Sequence, residues 1–250
     1  MITWLLSISA VVIISLISMI GILALWLKEQ QLKKILLYMV SFSAGALLGD
    51  AFIHLIPEAV EGIGFGISIS MYILFGIIFS FILEKFLRWR HCHIPTSSEH
   101  PHSFAVMNLF GDAIHNLIDG LIVGGSFIVS FPVGMASTLA VVFHEIPQEL
   151  GDFGVLIHGG FSKRKALGFN LLTALTAIIG TIIALTFGSI IEGFTPLLLS
   201  FSAGNFIYIA GSDLIPELRK DEANFKKSTL QIISICLGIG TMLILLLFET

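Results

Sequence analysis

The stretch Ser41-Phe42-Ser43-Ala44-Gly45-Ala46-Leu47-Leu48-Gly49-Asp50-Ala51-Phe52-Ile53-His54-Leu55-Ile56-Pro57-Glu58 recurs 159 residues later as Ser200-Phe201-Ser202-Ala203-Gly204-Asn205-Phe206-Ile207-Tyr208-Ile209-Ala210-Gly211-Ser212-Asp213-Leu214-Ile215-Pro216-Glu217. Ten of the eighteen ungapped positions are identical, and they include the Pro-Glu pair as well as the small Ser, Ala and Gly residues that apolar helices commonly share. An internal copy of this kind marks the two segments as equivalent parts of one fold.

Around the two copies the chain is built from long apolar runs. Soluble domains are roughly 45–50% apolar and about 25% charged, whereas this chain of 250 residues is 56% apolar and 12% charged, with a mean hydropathy of +0.97. Crossing about 30 Å of hydrocarbon takes roughly 20 apolar residues. Eight runs meet that length: Trp4–Leu27, Ile35–Val60, Phe65–Leu87, Ser103–Ser130, Pro132–His158, Ala166–Ile191, Pro196–Leu218 and Thr229–Phe248. The expected fold is an all-α integral membrane protein of eight transmembrane helices, with residues 1–250 forming a single transporter domain. No basic residue precedes Lys28, so the first run is expected to be a retained span and not a signal peptide.

All thirteen Lys and Arg residues follow spans 1, 3, 5 or 7. Eight crossings then put them on one face, which the positive-inside rule makes cytoplasmic, with both termini extracytoplasmic. The repeated segments occupy spans 2 and 7, five crossings apart, so they run in opposite directions. Spans 1–3 and 6–8 become inverted repeats around spans 4–5, a 3+2+3 arrangement typical of transporters. Pro57 and Pro216 each free the carbonyl four residues earlier, at Ile53 and Ser212, which in lipid must find another partner. The two cysteines, Cys92 and Cys236, are too few and too separated for a disulfide framework.

A carboxylate at mid-bilayer costs at least about 2.5–3.5 kcal/mol on insertion scales. Span 4 nevertheless carries Asp112, His115, Asn116 and Asp119, at i, i+3, i+4 and i+7 of one helix face. Span 5 carries His144, Glu145, Gln148, Glu149 and Asp152, again as one seam. His115 and His144 lie about 22 and 18 Å below the outer ends of their spans at 1.5 Å per residue, so the two seams share a level. Between Ser103 and His158 there is no Lys or Arg to neutralise the acids. Imidazole and carboxylate converging without a basic partner describe a cation site, and mixed N and O donors suit Zn²⁺, Fe²⁺ or Mn²⁺ better than Mg²⁺ or Ca²⁺. On span 2, Asp50, His54 and Glu58 recur every four residues; on span 7, Asp213 and Glu217 stand at the positions equivalent to His54 and Glu58. Between spans 3 and 4, a cytoplasmic loop over residues 88–102 holds His91, Cys92, His93, His100 and His102, a composition that binds soft metals.

His115-Asn116-Leu117-Ile118-Asp119-Gly120 and His144-Glu145-Ile146-Pro147-Gln148-Glu149-Leu150-Gly151-Asp152-Phe153 resemble the paired signatures of the ZIP (Zrt/Irt-like) metal transporters. The resemblance covers the full chain. It implies import of Zn²⁺, often with Fe²⁺, Mn²⁺ or Cd²⁺, through a site between spans 4 and 5 with help from span 2, in a homodimer. By position it makes His115 and Asp119 primary ligands and Asn116 a ligand of an adjacent second site. His144, Glu145 and Gln148 match the ligand positions of span 5. The family often has Glu at position 119 and His or Glu at position 148; the shorter Asp119 and the neutral Gln148 therefore favour one ion over two.

The rival reading is an intramembrane zinc-dependent hydrolase, because His144-Glu145-Ile146-Pro147-Gln148 is one residue short of HExxH. Gln148 replaces the second His of that pattern and Pro147 distorts its helix. The favoured reading is transport, with no enzymatic activity, no cofactor beyond the carried metal and no nucleic-acid partner. Metal is collected near Glu58, sheds water against His54, His115, Asp119 and Glu145, and leaves past Glu149, Asp152, Asp213 and Glu217. Short loops suggest the plasma (inner) membrane of a prokaryote. Cysteines introduced at 58 and 217 are expected to react with an impermeant thiol reagent from opposite sides of the membrane; labelling of both from one side would overturn the inverted topology.

Overall fold

The computed structural model describes residues 2–24, 29–64, 66–89, 103–188, 190–191, 193–219 and 224–248. They contain no strand and form eight helical rods. Rod α1 (2–24) joins Ile2–Ile17, a 3₁₀ turn Ser18–Ile20 and Gly21–Ala24; α2 (29–63) joins Glu29–Gly49, a π-helix Asp50–Leu55 and Ile56–Ile63; α3 is Ile67–Trp89. Next come α4, Ser103–Val129, α5, Phe131–His158, and α6 (163–187), which joins Lys163–Ala174 to Thr176–Phe187. Rod α7 (194–219) joins Phe194–Tyr208, a π-helix Ile209–Leu214 and Ile215–Arg219, and α8 (225–248) joins Phe225–Leu245 to a 3₁₀ turn Leu246–Phe248. From position 90 onward the His-bearing loop lies outside the described residues.

Seven rods contain a stretch long and apolar enough to cross a bilayer: Ile2–Ile20, Leu37–Ile63, Ile67–Lys85, Asn108–Val129, Lys163–Phe187, Phe194–Leu214 and Phe225–Leu245. The eighth, α5, is the longest single helix at 28 residues, but its polar seam lowers its mean apolarity. The chain is an all-helical integral membrane protein. Its outward surface agrees: α3 and α8 are only 17% and 11% buried over their apolar stretches, and they turn Phe75, Ile78, Phe81, Leu237 and Leu243 outward. Apolar exposure on that scale is tolerable only where lipid replaces water.

The rods pack as two groups. In one, α2 lies along α8 and α3 along α7, with α2 and α7 touching; in the other, α4 lies along α6 and α5, and α1 bridges α4, α5 and α6. The α2–α5 contact joins the groups. The closest crossings depend on glycine. A Cβ on Gly45 would sit 2.1 Å from the carbonyl oxygen of Ile235, and one on Gly238 2.2 Å from that of Phe42. Across α3 and α7, Gly204 and Gly76 meet the carbonyl oxygens of Ile73 and Phe201 at the same 2.1 and 2.2 Å. Phe42 and Phe201, like Gly45 and Gly204, are 159 residues apart, while Ile73 and Ile235, like Gly76 and Gly238, are 162 apart. The two crossings are therefore built from equivalent residues, with a three-residue offset entering between the second and third rods of the repeat. Small residues let helices approach until van der Waals packing holds them in lipid.

The two π-helices are also equivalent, because Asp50–Leu55 shifted by 159 residues becomes Ile209–Leu214. Each is followed by Ile and then Pro. Proline has no N–H to return to the carbonyl four residues earlier and its ring crowds that carbonyl. The chain widens by one residue per turn instead: Ile56 N–H reaches Ala51 O and Ile215 N–H reaches Ala210 O, each five residues back. The widened turns thus stand directly before Pro57 and Pro216, at equivalent positions of the repeat.

Substituting Gly45 or Gly204 by Val should lower the thermal unfolding temperature in detergent by an amount equivalent to about 1–3 kcal/mol or more, the range of overpacked cores. Gly168→Ala, on a helical position with open space around it, should be neutral or slightly stabilising.

Candidate metal site

Rods α4 and α5 bring four donors together: His115, Asp119, His144 and Glu145 offer ligand atoms that all lie within 4.8 Å of one another. The i,i+4 step places His115 and Asp119 on one face of α4, with His115 Nε2 3.6 Å from Asp119 Oδ2. On α5 the neighbouring His144 and Glu145 converge with Nε2 3.6 Å from Oε1. Between the rods, His115 Nε2 is 3.1 Å from His144 Nε2 and 3.2 Å from Glu145 Oε1, and His144 Nε2 is 3.1 Å from Asp119 Oδ2. A tetrahedral ion with bonds of about 2.0–2.1 Å has ligand atoms roughly 3.3–3.4 Å apart. Five of the six edges in this group are 3.1–3.6 Å, close to that geometry.

The electrostatics point the same way. His144 Nδ1 lies 3.1 Å from the carbonyl oxygen of Ala140. A carbonyl only accepts, so Nδ1 carries a proton and Nε2 faces His115. Hydrogen bonding to the second ring nitrogen is a common way of orienting a metal-binding imidazole. Phe206 of α7 packs edge-on against the same ring at 5.9 Å. Both oxygens of Asp119 and both of Glu145 are buried without a hydrogen bond. Two carboxylates and two imidazole Nε2 atoms converging at this spacing suit a divalent cation, and among the described residues no Lys or Arg reaches them.

A second layer of polar residues surrounds the four. Asp112 accepts from Asn116 Nδ2 at 2.8 Å and from Thr173 Oγ1 at 2.5 Å, and Asp152 accepts from Asn108 Nδ2 at 2.8 Å. Asn170 Nδ2 donates to the Glu149 backbone at 3.1 Å, while both Glu149 carboxylate oxygens and Asn116 Oδ1 are buried without a hydrogen bond. Gln148 is half-buried. His54 lies outside the four-donor group, with its Nε2 3.0 Å from the Met242 carbonyl oxygen of α8. Glu58 is half-buried and Asp213 exposed. Glu217 lies in the short helix Ile215–Arg219, with its side chain outside those described.

The ZIP zinc transporter family model matches residues 1–106 and 90–246. The chain belongs to the ZIP family. Among similar proteins, zinc transporter zipt-7.1 of Caenorhabditis briggsae is 32% identical over 84% of this chain and 71% of its own length. The zinc transporter ZIP13 homolog of Drosophila melanogaster is 30% identical, over 89% and 81%, and zinc transporter YKE4 of Saccharomyces cerevisiae is 32% identical, over 82% and 69%. ZIP proteins are transporters and not enzymes, and the hydrolase reading gains no support from the site either. Four protein donors fill a tetrahedral shell, where a catalytic zinc keeps a position open for water.

Asn108 and Ser43 are contributors that the sequence reading passed over. Asn108 had a visible signal, since it continues the α4 stripe four residues before Asp112. With Zn²⁺ added to this ZIP protein, X-ray absorption should find nitrogen and oxygen neighbours at about 2.0–2.1 Å and no sulfur. His144→Ala should weaken Zn²⁺ binding on the order of 100-fold, beyond the roughly 10–100-fold typical of outer residues, and Gln148→Ala should weaken it far less.

Proposed function

We propose that this ZIP protein carries divalent transition metal, Zn²⁺ foremost, into the cytoplasm through the site formed by His115, Asp119, His144 and Glu145. The observation that supports it most is the convergence of four buried donors, spaced as the corners of a tetrahedron, on two helices that hold no basic residue. The names of its relatives point to the same cargo. Fe²⁺, Mn²⁺ and Cd²⁺ suit the same donors.

All eight rods cross the membrane in a 3+2+3 arrangement, with α1–α3 and α6–α8 as inverted repeats, and α5 crosses despite its polar seam because that seam faces α4. The equivalent glycine crossings and π-helices support this symmetry. Inward direction rests on the family resemblance, and extracytoplasmic termini on the one-sided Lys and Arg. Along the route, Glu58 and His54 on α2 gather metal from outside. Asn116, Gln148, Glu149 and Asp152 line the inner side of the four-donor site, and Asp213 and Glu217 receive the ion toward the cytoplasmic His-bearing loop. The family resemblance supports a homodimer. A prokaryotic inner membrane rests on the short loops alone, and the relatives named above, from a nematode, a fly and a yeast, do not add to it.

In proteoliposomes loaded with a metal-sensitive dye, Zn²⁺ uptake by the intact protein should be abolished by His115→Ala and by Asp119→Ala in folded protein. Because imidazole and carboxylate must be deprotonated to bind metal, protons compete for the site and uptake should fall as the outer solution is acidified. Tight Zn²⁺ binding with no uptake by the intact protein would sink the transport reading; uptake driven by an inward proton gradient would replace simple competition with coupling.

A further inference from the structure

Pro147 lies inside α5, three residues after His144 and two after Glu145. Having no N–H, it cannot return a hydrogen bond to the carbonyl of Phe143, four residues earlier. A backbone carbonyl left bare in a membrane interior costs several kcal/mol. In α2 and α7 the turn before the proline is widened to a π-helix, but α5 is helical without one from Phe131 to His158. Its hydrogen comes from another rod: Ser43 Oγ of α2 lies 2.5 Å from Phe143 O. The adjacent side chains hold the same contact, with the Phe42 and Phe143 rings edge to face at 4.6 Å. Ser43 is completely buried.

We infer that Ser43 is a positioning residue for the metal site, donating across the α2–α5 interface the hydrogen bond that Pro147 removes and thereby fixing the His144–Glu145 turn. The repeat supplies an internal control. Ser202, 159 residues after Ser43, belongs to α7, which packs against α4. Rod α4 contains no proline, and the hydroxyl of Ser202 donates within its own helix, to Leu198 O at 2.7 Å. Ser43 keeps that local alternative as well, with Met39 O at 2.8 Å, so its single proton serves either its own helix or α5. The hydroxyl therefore links the two helix groups at the ligand pair, and it can let go without leaving its own proton unsatisfied.

This inference rests on the site proposed above, and a double-mutant test keeps the two apart. Zn²⁺ affinity of purified protein is measured by titration for the parent, Ser43→Ala, Pro147→Ala and the double variant, each checked for folding by thermal unfolding in detergent. Failure of the parent to bind Zn²⁺ would overturn the site itself and this inference with it. If the parent binds, Ser43→Ala should weaken Zn²⁺ roughly tenfold, the scale of one lost hydrogen bond. Pro147→Ala restores an N–H to α5, so adding Ser43→Ala to it should have less than a twofold further effect. An unchanged affinity in Ser43→Ala, or an equal loss in the Pro147→Ala background, would overturn the positioning role. Should the Pro147→Ala proteins not fold, Ser43→Cys decides: its weak donor should give a loss between those of Ser and Ala, and an affinity equal to the parent's would overturn the role.

Discussion

Four donors, with five of their six separations at 3.1–3.6 Å, lie inside a helix pair without a basic neighbour, and the rest of the structure has to make that arrangement tolerable. Two carboxylates in a medium of low dielectric repel each other and lose their hydration, a cost that nothing apolar can offset. The surrounding layer works to orient the donors and leave their charge in place. Ala140 fixes one imidazole; Asp112 ties down Asn116 and Thr173. None of these contacts neutralises Asp119 or Glu145. A divalent cation does, and a carrier needs a charge deficit that its cargo fills.

Three prolines in three rods expose a second constraint, since every carbonyl they free lies at membrane depth. In the rods of Pro57 and Pro216 the turn before the proline is widened. Pro147 is handled between helices by a serine hydroxyl. The difference follows from what each rod carries. A π-helix rotates the following residues by a large fraction of a turn relative to those before it, which in α5 would swing His144 and Glu145 away from α4. Borrowing a donor from α2 keeps the α5 seam in register and makes the site's geometry depend on its neighbour.

Much of this was legible from residue order alone. The 18-residue copy announced the equivalence of α2 and α7, and the i, i+3, i+4, i+7 stripe on α4 placed His115 and Asp119 on one face before any coordinates. The freed carbonyls of Ile53 and Ser212 are foreseeable from proline chemistry, though not the π-helices that precede the two prolines, because the choice between a kink, a bulge and a borrowed donor depends on what packs alongside. The place of His54 in the α2 seam is legible from spacing; its contact with the Met242 carbonyl is not, because it depends on the close approach of α8 to Gly49 of α2. Offset copies such as Gly76 and Gly238 also stayed hidden, because a three-residue shift breaks the ungapped match.

How many ions the centre holds follows from donor geometry more than from donor number. Asp119 is a short carboxylate, and its Oδ2 already lies 3.1 Å from His144 Nε2. Bridging a second ion would take its other oxygen together with donors beyond the four. Of those, Asp112 and Asp152 already accept hydrogen bonds from Asn116, Thr173 and Asn108. Gln148, at the position where the family often supplies a charged or imidazole ligand, brings no charge. Two carboxylates and two neutral imidazoles balance one divalent ion, so the loaded site is electrically neutral in its first layer. A neutral loaded centre is the form that a low-dielectric pathway favours, which argues for one ion carried at a time.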